Sequence, residues 1–395
     1  MLNMNSAILI LTPSITPRIS YTFNVIFGLI LGIPHRFTTD EIEFENNDGV
    51  KFSYGGPMRN GIHFQSVSLL HEKNITTVEL GEAYWNGLRL FFPVENSCLP
   101  FDPFAVAFYL ISRYEEYLPD TPKDQHARFD ISGAVAFQNG FHRQPVVNII
   151  AYQIADILKN RYACFHYPEP RYRILCTYDV DMAYQYKGKS SLRFAYSLAK
   201  AVIHFDVKKM TGLIYERLGL KTDDEYDQFD NHRKNNELRN EKPIHFLLTA
   251  PFGEYDRNID PDSKAFKELV EQLSQFSEIG IHPSYHTSEK QELLSQEKTK
   301  LEHIYGKKIV KSRQHYLRFS FPSTFDNLIN NGITDDYSLG WTTEVGFRSS
   351  IATPYPFYDL SQEKETSLIL HPLTVMDSAL ARLSKEKEEQ IAIFN

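Results

Sequence analysis

Five short polar clusters in the second half of the sequence carry side chains able to hold an ion or move a proton. Cys176-Thr177-Tyr178-Asp179-Val180-Asp181 sets two carboxylates two residues apart where an apolar run ends. In an extended segment, residues so spaced point to the same side, so both carboxylates can face one cavity. Gly280-Ile281-His282-Pro283-Ser284-Tyr285-His286 places two histidines four residues apart directly after another apolar run. On a helical turn that spacing returns to one side, and the expectation is that both imidazoles converge on one ion. Two histidines with a carboxylate make an open site of zinc type that leaves room for water and substrate. Asp179 or Asp181 is the leading choice for the third ligand.

The other three clusters suit supporting parts. In Ser312-Arg313-Gln314-His315, Arg313 can pin a buried carboxylate through its planar fork. Thr334-Asp335-Asp336-Tyr337, followed by Trp341, pairs two acids in a polar stretch. Leu368-Ile369-Leu370-His371-Pro372 ends an apolar run in a histidine, whose ordinary pKa suits a general acid. Taken singly, each cluster also fits a plainer role, since Asp after a strand is common turn chemistry.

Most of these clusters follow strand-like runs: Tyr172–Tyr178, Ile244–Thr249, Glu278–His282, Lys308–Ser312 and Ser367–His371. Helical patterns lie between them, the longest from Leu192 to Leu218. Strands alternating with helices predict parallel pairing, in a doubly wound sheet or an α/β barrel, where strand C-termini carry the site. The highly charged stretch Lys221–Lys242 reads as a solvated loop or lid.

Before the Pro168/Pro170 linker the grammar differs. A short strand at Ala7–Leu11 and a helix from Pro17 to about Leu31 open the chain, with no basic start or cleavage site framing a signal segment. Turn signals punctuate Thr38–Phe92. A helix follows Asp102, with Pro103 first and Pro119 closing it, and another spans about Val146–Asn160. The expected domains are 1–168, a smaller α+β domain of unassigned role, and 171–385.

Lys plus Arg number 42 against 50 Asp plus Glu among 395 residues, giving a net charge of −8. That balance argues against a general nucleic-acid or membrane-surface binder. Three scattered cysteines form neither a disulfide framework nor a thiolate zinc site, which points to a reducing compartment. With no signal segment, and with Pro13, Pro17 and Arg18 interrupting the N-terminal apolar stretch, a cytoplasmic location without a membrane span is expected.

The order of these motifs resembles the polysaccharide deacetylases of carbohydrate esterase family four, the nodulation-protein-B homology domain, over Arg171–Lys385. The likeness is to a bacterial branch with its own N-terminal domain. It implies a distorted (β/α) barrel and a divalent ion, zinc by preference, used to remove N- or O-acetyl groups from a glycan or glycan precursor. It implies Asp179 as base, although Val180 separates the two acids that the family usually keeps adjacent. Asp181, His282 and His286 are implied as metal ligands, Arg313 as the residue orienting the base, and His371 as the acid. Asp336 with Trp341 is similar to the fourth motif, and Asp335 or Asp336 would raise the pKa of His371. The implied partner is an acetylated saccharide.

Other readings remain. A metal-free glycoside hydrolase would use Asp179 and Asp181, but such pairs stand roughly 5 to 10 Å apart and usually come from different strands. A metal-dependent amidase acting on a small molecule would use the same site, and a non-catalytic glycan-binding protein would need no ion.

Overall fold

The computed structural model describes residues 7–58, 60–220, 224–237 and 242–394. Contacts divide the chain into two compact units. The first holds residues up to Tyr172, Phe319–Phe325 and the chain from Asp336 onward; the second holds Arg173–Arg318 and Asp326–Asp335. The residues from Asp336 to Lys385, which the resemblance joins to the catalytic segment, therefore group with the N-terminal residues. Both units mix helices and strands, as expected.

In the first unit, β1 (Ile8–Leu11), β2 (His35–Thr38), β3 (Lys51–Tyr54) and β4 (His63–Phe64) form a parallel sheet in the order β2-β1-β3-β4. Every residue of β1 is buried, which explains its unbroken apolar run. Pro17 starts the helix Pro17–Phe23, capped by Thr16, and a wider-wound helical segment continues it through Asn24–Ile30. β5 (Ala83–Trp85) and β6 (Leu88–Leu90) make a small hairpin.

The helix Pro103–Ile111 is buried throughout. Its cap, Asp102, accepts from the backbone N–H groups of Phe104 and Ala105 at 3.0 Å each. The Tyr54 hydroxyl at 3.0 Å and the Val67 N–H at 2.9 Å donate to its other oxygen. Helix formation stops before Pro119 because Arg113 turns left-handed, at φ 54°. Its buried guanidinium meets Glu115 and Glu116, and Arg348 shares Glu116 at 2.6 Å. The helix Val146–Arg161 buries Val147, Ile150, Ala151, Ile154 and Leu158, a stripe at three- and four-residue spacing.

The second unit carries four parallel strands, β7 (Thr177–Val180), β8 (Ile244–Leu247), β9 (Glu278–Ile281) and β10 (Lys311–Ser312). Each lies within or overlaps an expected strand, and most are shorter. The long helix expected over Leu192–Leu218 is two helices, Ser191–Ile203 and Val207–Arg217, because Asp206 caps a new one by accepting from Lys209 N–H at 2.9 Å. The expected loop at Lys221–Lys242 contains the helix Phe229–Glu237; residues 221–223 and 238–241 lie outside the described residues.

β11 (Asp335–Leu339), β12 (Tyr355–Asp359) and β13 (Lys364–Pro372) follow in the order β12-β13-β11. β12 and β13 pair antiparallel, departing from the parallel expectation. The turn between them, 360–363, is too short for the crossover that parallel strands require. Among the described residues no sheet closes into a barrel. No helix there is long and apolar enough to cross a membrane.

Candidate metal centre

The site in the second unit lies where β7, β9 and β10 end. Parallel pairing aligns those ends: Asp179 stands opposite Phe246 on β8, and Phe246 opposite Gly280 on β9. Gly280 is needed there, because a Cβ would lie 2.5 Å from the Phe246 ring and 3.0 Å from the Lys311 carbonyl. The Phe246 ring lies under the Arg313 guanidinium, at 4.7 Å. Arg313 in turn donates through Nη1 to Asp179 Oδ1 at 2.9 Å and through Nη2 to Thr177 Oγ1 at 2.7 Å. Asp179 is thus fixed in direction by a nearly buried fork.

Asp181, two residues on, faces a different pair. Asp181, His282 and His315 each bring a ligand atom within 4.8 Å of the others. Asp181 Oδ1 lies 3.2 Å from His282 Nε2 and 3.4 Å from His315 Nδ1. The two imidazole nitrogens are 2.9 Å apart.

The outer hydrogen bonds fix the state of both rings. His282 Nδ1 lies 2.6 Å from the Arg313 carbonyl, and His315 Nε2 lies 3.2 Å from the Tyr255 carbonyl. A carbonyl only accepts, so each of those nitrogens carries the proton. In the neutral rings, Nε2 of His282 and Nδ1 of His315 then present lone pairs to each other and to Asp181. Three electron pairs converging on one point repel unless a cation or proton lies among them.

A tetrahedral zinc with bonds of 2.0–2.1 Å separates its ligand atoms by about 3.4 Å, close to the two spacings from Asp181, while the two imidazole nitrogens stand closer at 2.9 Å. The donor set, its inward lone pairs and the carbonyl-fixed tautomers therefore fit a borderline divalent ion. The charges of the group favour a positive charge at this point, whether an ion or a proton. Burial works to raise the Asp181 carboxyl, but the two imidazoles outweigh it and hold the group far below the usual carboxylate range. Burial works to lower His282, and the charges of Asp179 and Asp181 outweigh it.

His286, expected as a ligand, is not part of this group. Its ring is about half exposed and meets Glu289 at 3.3 Å. The reason is local geometry: Tyr285–Ser288 is a 3-10 turn, and His282 precedes it in extended chain. With three residues per turn, a four-residue spacing does not return to the same side. His315 takes the place instead. Its N–H bonds to the Pro283 carbonyl at 3.2 Å, as Arg313 N–H bonds to Ile281 at 3.1 Å, so the pairing with the β9 segment continues past Ser312. Arg313 and His315 stand two apart across the extended Gln314, the same spacing that drew attention to Asp179 and Asp181.

The loops around the ligands are braced. Glu297, buried on the helix Glu292–Tyr305, accepts from the Ser284 N–H at 2.9 Å and its hydroxyl at 2.5 Å. Asp256 accepts from Tyr285 N–H at 2.9 Å and lies 3.9 Å from His315 Nε2. Beyond His315 the backbone is strained: Tyr316 and Leu317 are both left-handed, at φ 59° and 50°.

His371 and Asp336 lie in the first unit. His371, on β13, stacks flat on Tyr337 at 4.1 Å. Asp336, fully buried on β11, accepts from the Ser338 N–H and hydroxyl, both at 2.9 Å. Trp341 is buried there too, and Arg348 stacks over its ring at 4.9 Å.

Comparison with known proteins places residues 8–163 in the match to a family of unknown function, DUF7033. No curated protein matches the chain. Two solved structures are similar in part. One is a Mycobacterium smegmatis protein named only provisionally as a polysaccharide deacetylase, at 15% identity and TM-score 0.31, over 51% of this chain and 58% of that one. The other is IcaB from Ammonifex degensii, at 14% identity and TM-score 0.23, over 29% of this chain and 55% of that one. The chain thus spans little more than half the length of either.

Proposed function

We propose that this chain is a metal-dependent hydrolase that removes acetyl groups from a glycan or glycan precursor. The observation that carries the reading is the convergence of Asp181, His282 and His315 with their lone pairs turned inward, beside an Arg313-held Asp179. A zinc-like ion in that position would acidify a water and polarise a carbonyl. Asp181, His282 and His315 are the holders. Asp179 is the proton acceptor, because its carboxylate stands at the same strand end without belonging to the ligand set. Arg313 holds that carboxylate in a fixed direction. An acid-base pair of glycosidase type is disfavoured, since Asp179 and Asp181 already serve Arg313 and the two histidines.

The acetylated substrate rests on the motif order that resembles the deacetylases. Acetate release should be measured on a panel of N- and O-acetylated saccharides, with chelator-treated protein before and after divalent ions are restored. The expected result is release that disappears with chelation and returns with zinc. Zinc-loaded protein that binds the ion but frees no acetate from any saccharide would remove the deacetylase reading. Turnover of small acetamides alone would support the amidase.

A further inference from the structure

A second feature of the same unit is unrelated to the metal centre. The helices Ser191–Ile203 and Val207–Arg217 pack on one another, yet each buries a single side chain completely, Ala201 and Leu213. Gly212 seats the second helix against Tyr186, since a Cβ there would lie 2.5 Å from that ring. What the pair leaves outside is apolar. Leu192, Tyr196 and Ile203 are 85%, 70% and 72% exposed, and their spacing of four and seven residues keeps them on one helix face. Val207, Ile214 and Leu218 form a matching stripe on the second helix, all exposed. Phe205, in the turn between the helices, is 88% exposed.

Apolar side chains so exposed and so ordered mark a docking surface. The charge on the same segment tells which partner it suits. Residues 190–220 carry Arg193, Lys200, Lys208, Lys209 and Arg217 against Asp206 and Glu216 in a chain of net −8. Lys208 pairs with Glu225 and Arg193 donates to the Asn258 carbonyl, so Lys200, Lys209 and Arg217 carry the positive charge offered to a partner. A second copy of this surface would bring like charges together, which disfavours self-association. An anionic lipid surface answers both features: its headgroups attract the basic side chains and its acyl boundary takes the apolar stripes. We propose that the hairpin formed by Ser191–Ile203 and Val207–Arg217 binds the surface of anionic membranes, lying in the interface without crossing it. The net negative charge of the whole chain, which argues against such binding, conceals this local reversal.

The test is sedimentation of the full chain with vesicles of phosphatidylcholine, alone or containing phosphatidylglycerol, at low and high salt. The expected result is binding to the anionic vesicles at least about tenfold tighter than to the neutral ones, weakened by salt. Ile203→Ser/Phe205→Ser should weaken it by a further factor of about ten or more on both vesicle types. Lys200→Glu/Lys209→Glu should abolish the preference for anionic lipid. Circular dichroism and zinc binding identical to wild type would show that both variants fold. Wild-type protein that stays in the supernatant with anionic vesicles would overturn the proposal. So would a concentration-dependent dimer, by sedimentation velocity, that Ile203→Ser/Phe205→Ser abolishes, which would assign the surface to a second copy.

Discussion

Replacing His315 and His286 separately by Ala distinguishes the donor set that converges in the structure from the one the sequence spacing suggests. His315 is almost fully buried, with Nδ1 aimed at His282 Nε2 and Asp181; His286 is half exposed and faces Glu289. Loss of a residue that merely supports a ligand costs about 10- to 100-fold in metal affinity, and loss of a ligand costs at least as much. At an ion concentration about 100 times the wild-type Kd, binding stabilises the fold by about 2.7 kcal/mol. A tenfold weaker site in His315→Ala lowers that gain to about 1.4 kcal/mol, and a 100-fold weaker one to about 0.4 kcal/mol. The assay is the shift in urea unfolding midpoint caused by zinc, with ion affinity titrated in parallel. Each variant is compared with its own ion-free form, so the cost of the lost Tyr255 contact cancels. His286→Ala should match wild type. Wild-type affinity in His315→Ala, or its loss in His286→Ala, would refute the assignment.

Three further outcomes are expected. Asp179→Asn should keep the ion and lose about 10²- to 10⁴-fold in rate, because an amide cannot take the proton, whereas Asp181→Asn should lose ion affinity; the reverse pattern would exchange their roles. Arg313→Lys keeps the charge but cannot hold both Asp179 and Thr177, so one charged hydrogen bond of about 1.5 to 3 kcal/mol is lost and turnover should fall roughly 10- to 100-fold at unchanged ion content; unaltered kinetics would make the fork irrelevant. In the first unit, burial pushes the Asp102 carboxyl up from 3.8 to about 6, although four hydrogen bonds oppose it. The folded chain then holds a proton that the unfolded chain has released, so stability is full below about pH 4 and falls by about 3 kcal/mol as pH rises through 6. Asp102→Asn should flatten that part of the pH profile of unfolding, and an unchanged slope would show that Asp102 ionises freely in the fold.

Several elements could be read directly from residues. The cap Asp102 and the first-turn Pro17 announce their helices, and the apolar runs at Ile244 and Glu278 mark strands buried on both faces. The carboxylate pair was legible because a period of two holds wherever chain is extended. His286 misled because its four-residue spacing has meaning only on an α-helix, and the choice between α and 3-10 is settled by packing around Ser284 and Glu297. His315 carried the same signal as Asp181, a polar residue two beyond another at a strand exit, but its convergence with His282 depends on contacts 33 residues apart in sequence. The break at Asp206 was visible as a cap residue inside a long helical pattern. It was obscured because apolar spacing continues on both sides of it.

The segment leaving β10 performs several tasks within three residues. The Arg313 side chain aims Asp179, its carbonyl sets the proton on His282, and His315 brings one of the three converging donor atoms. A shift of one residue in its pairing with β9 would exchange the faces of all these groups at once. Drift in this stretch is therefore all-or-none: one inserted or deleted residue before Arg313 would disable the proposed ion holding and base orientation and the imidazole tautomer together. Gradual adjustment of substrate preference has to come from other loops, and a homologue with an altered count here should be read as having abandoned the chemistry while keeping the scaffold.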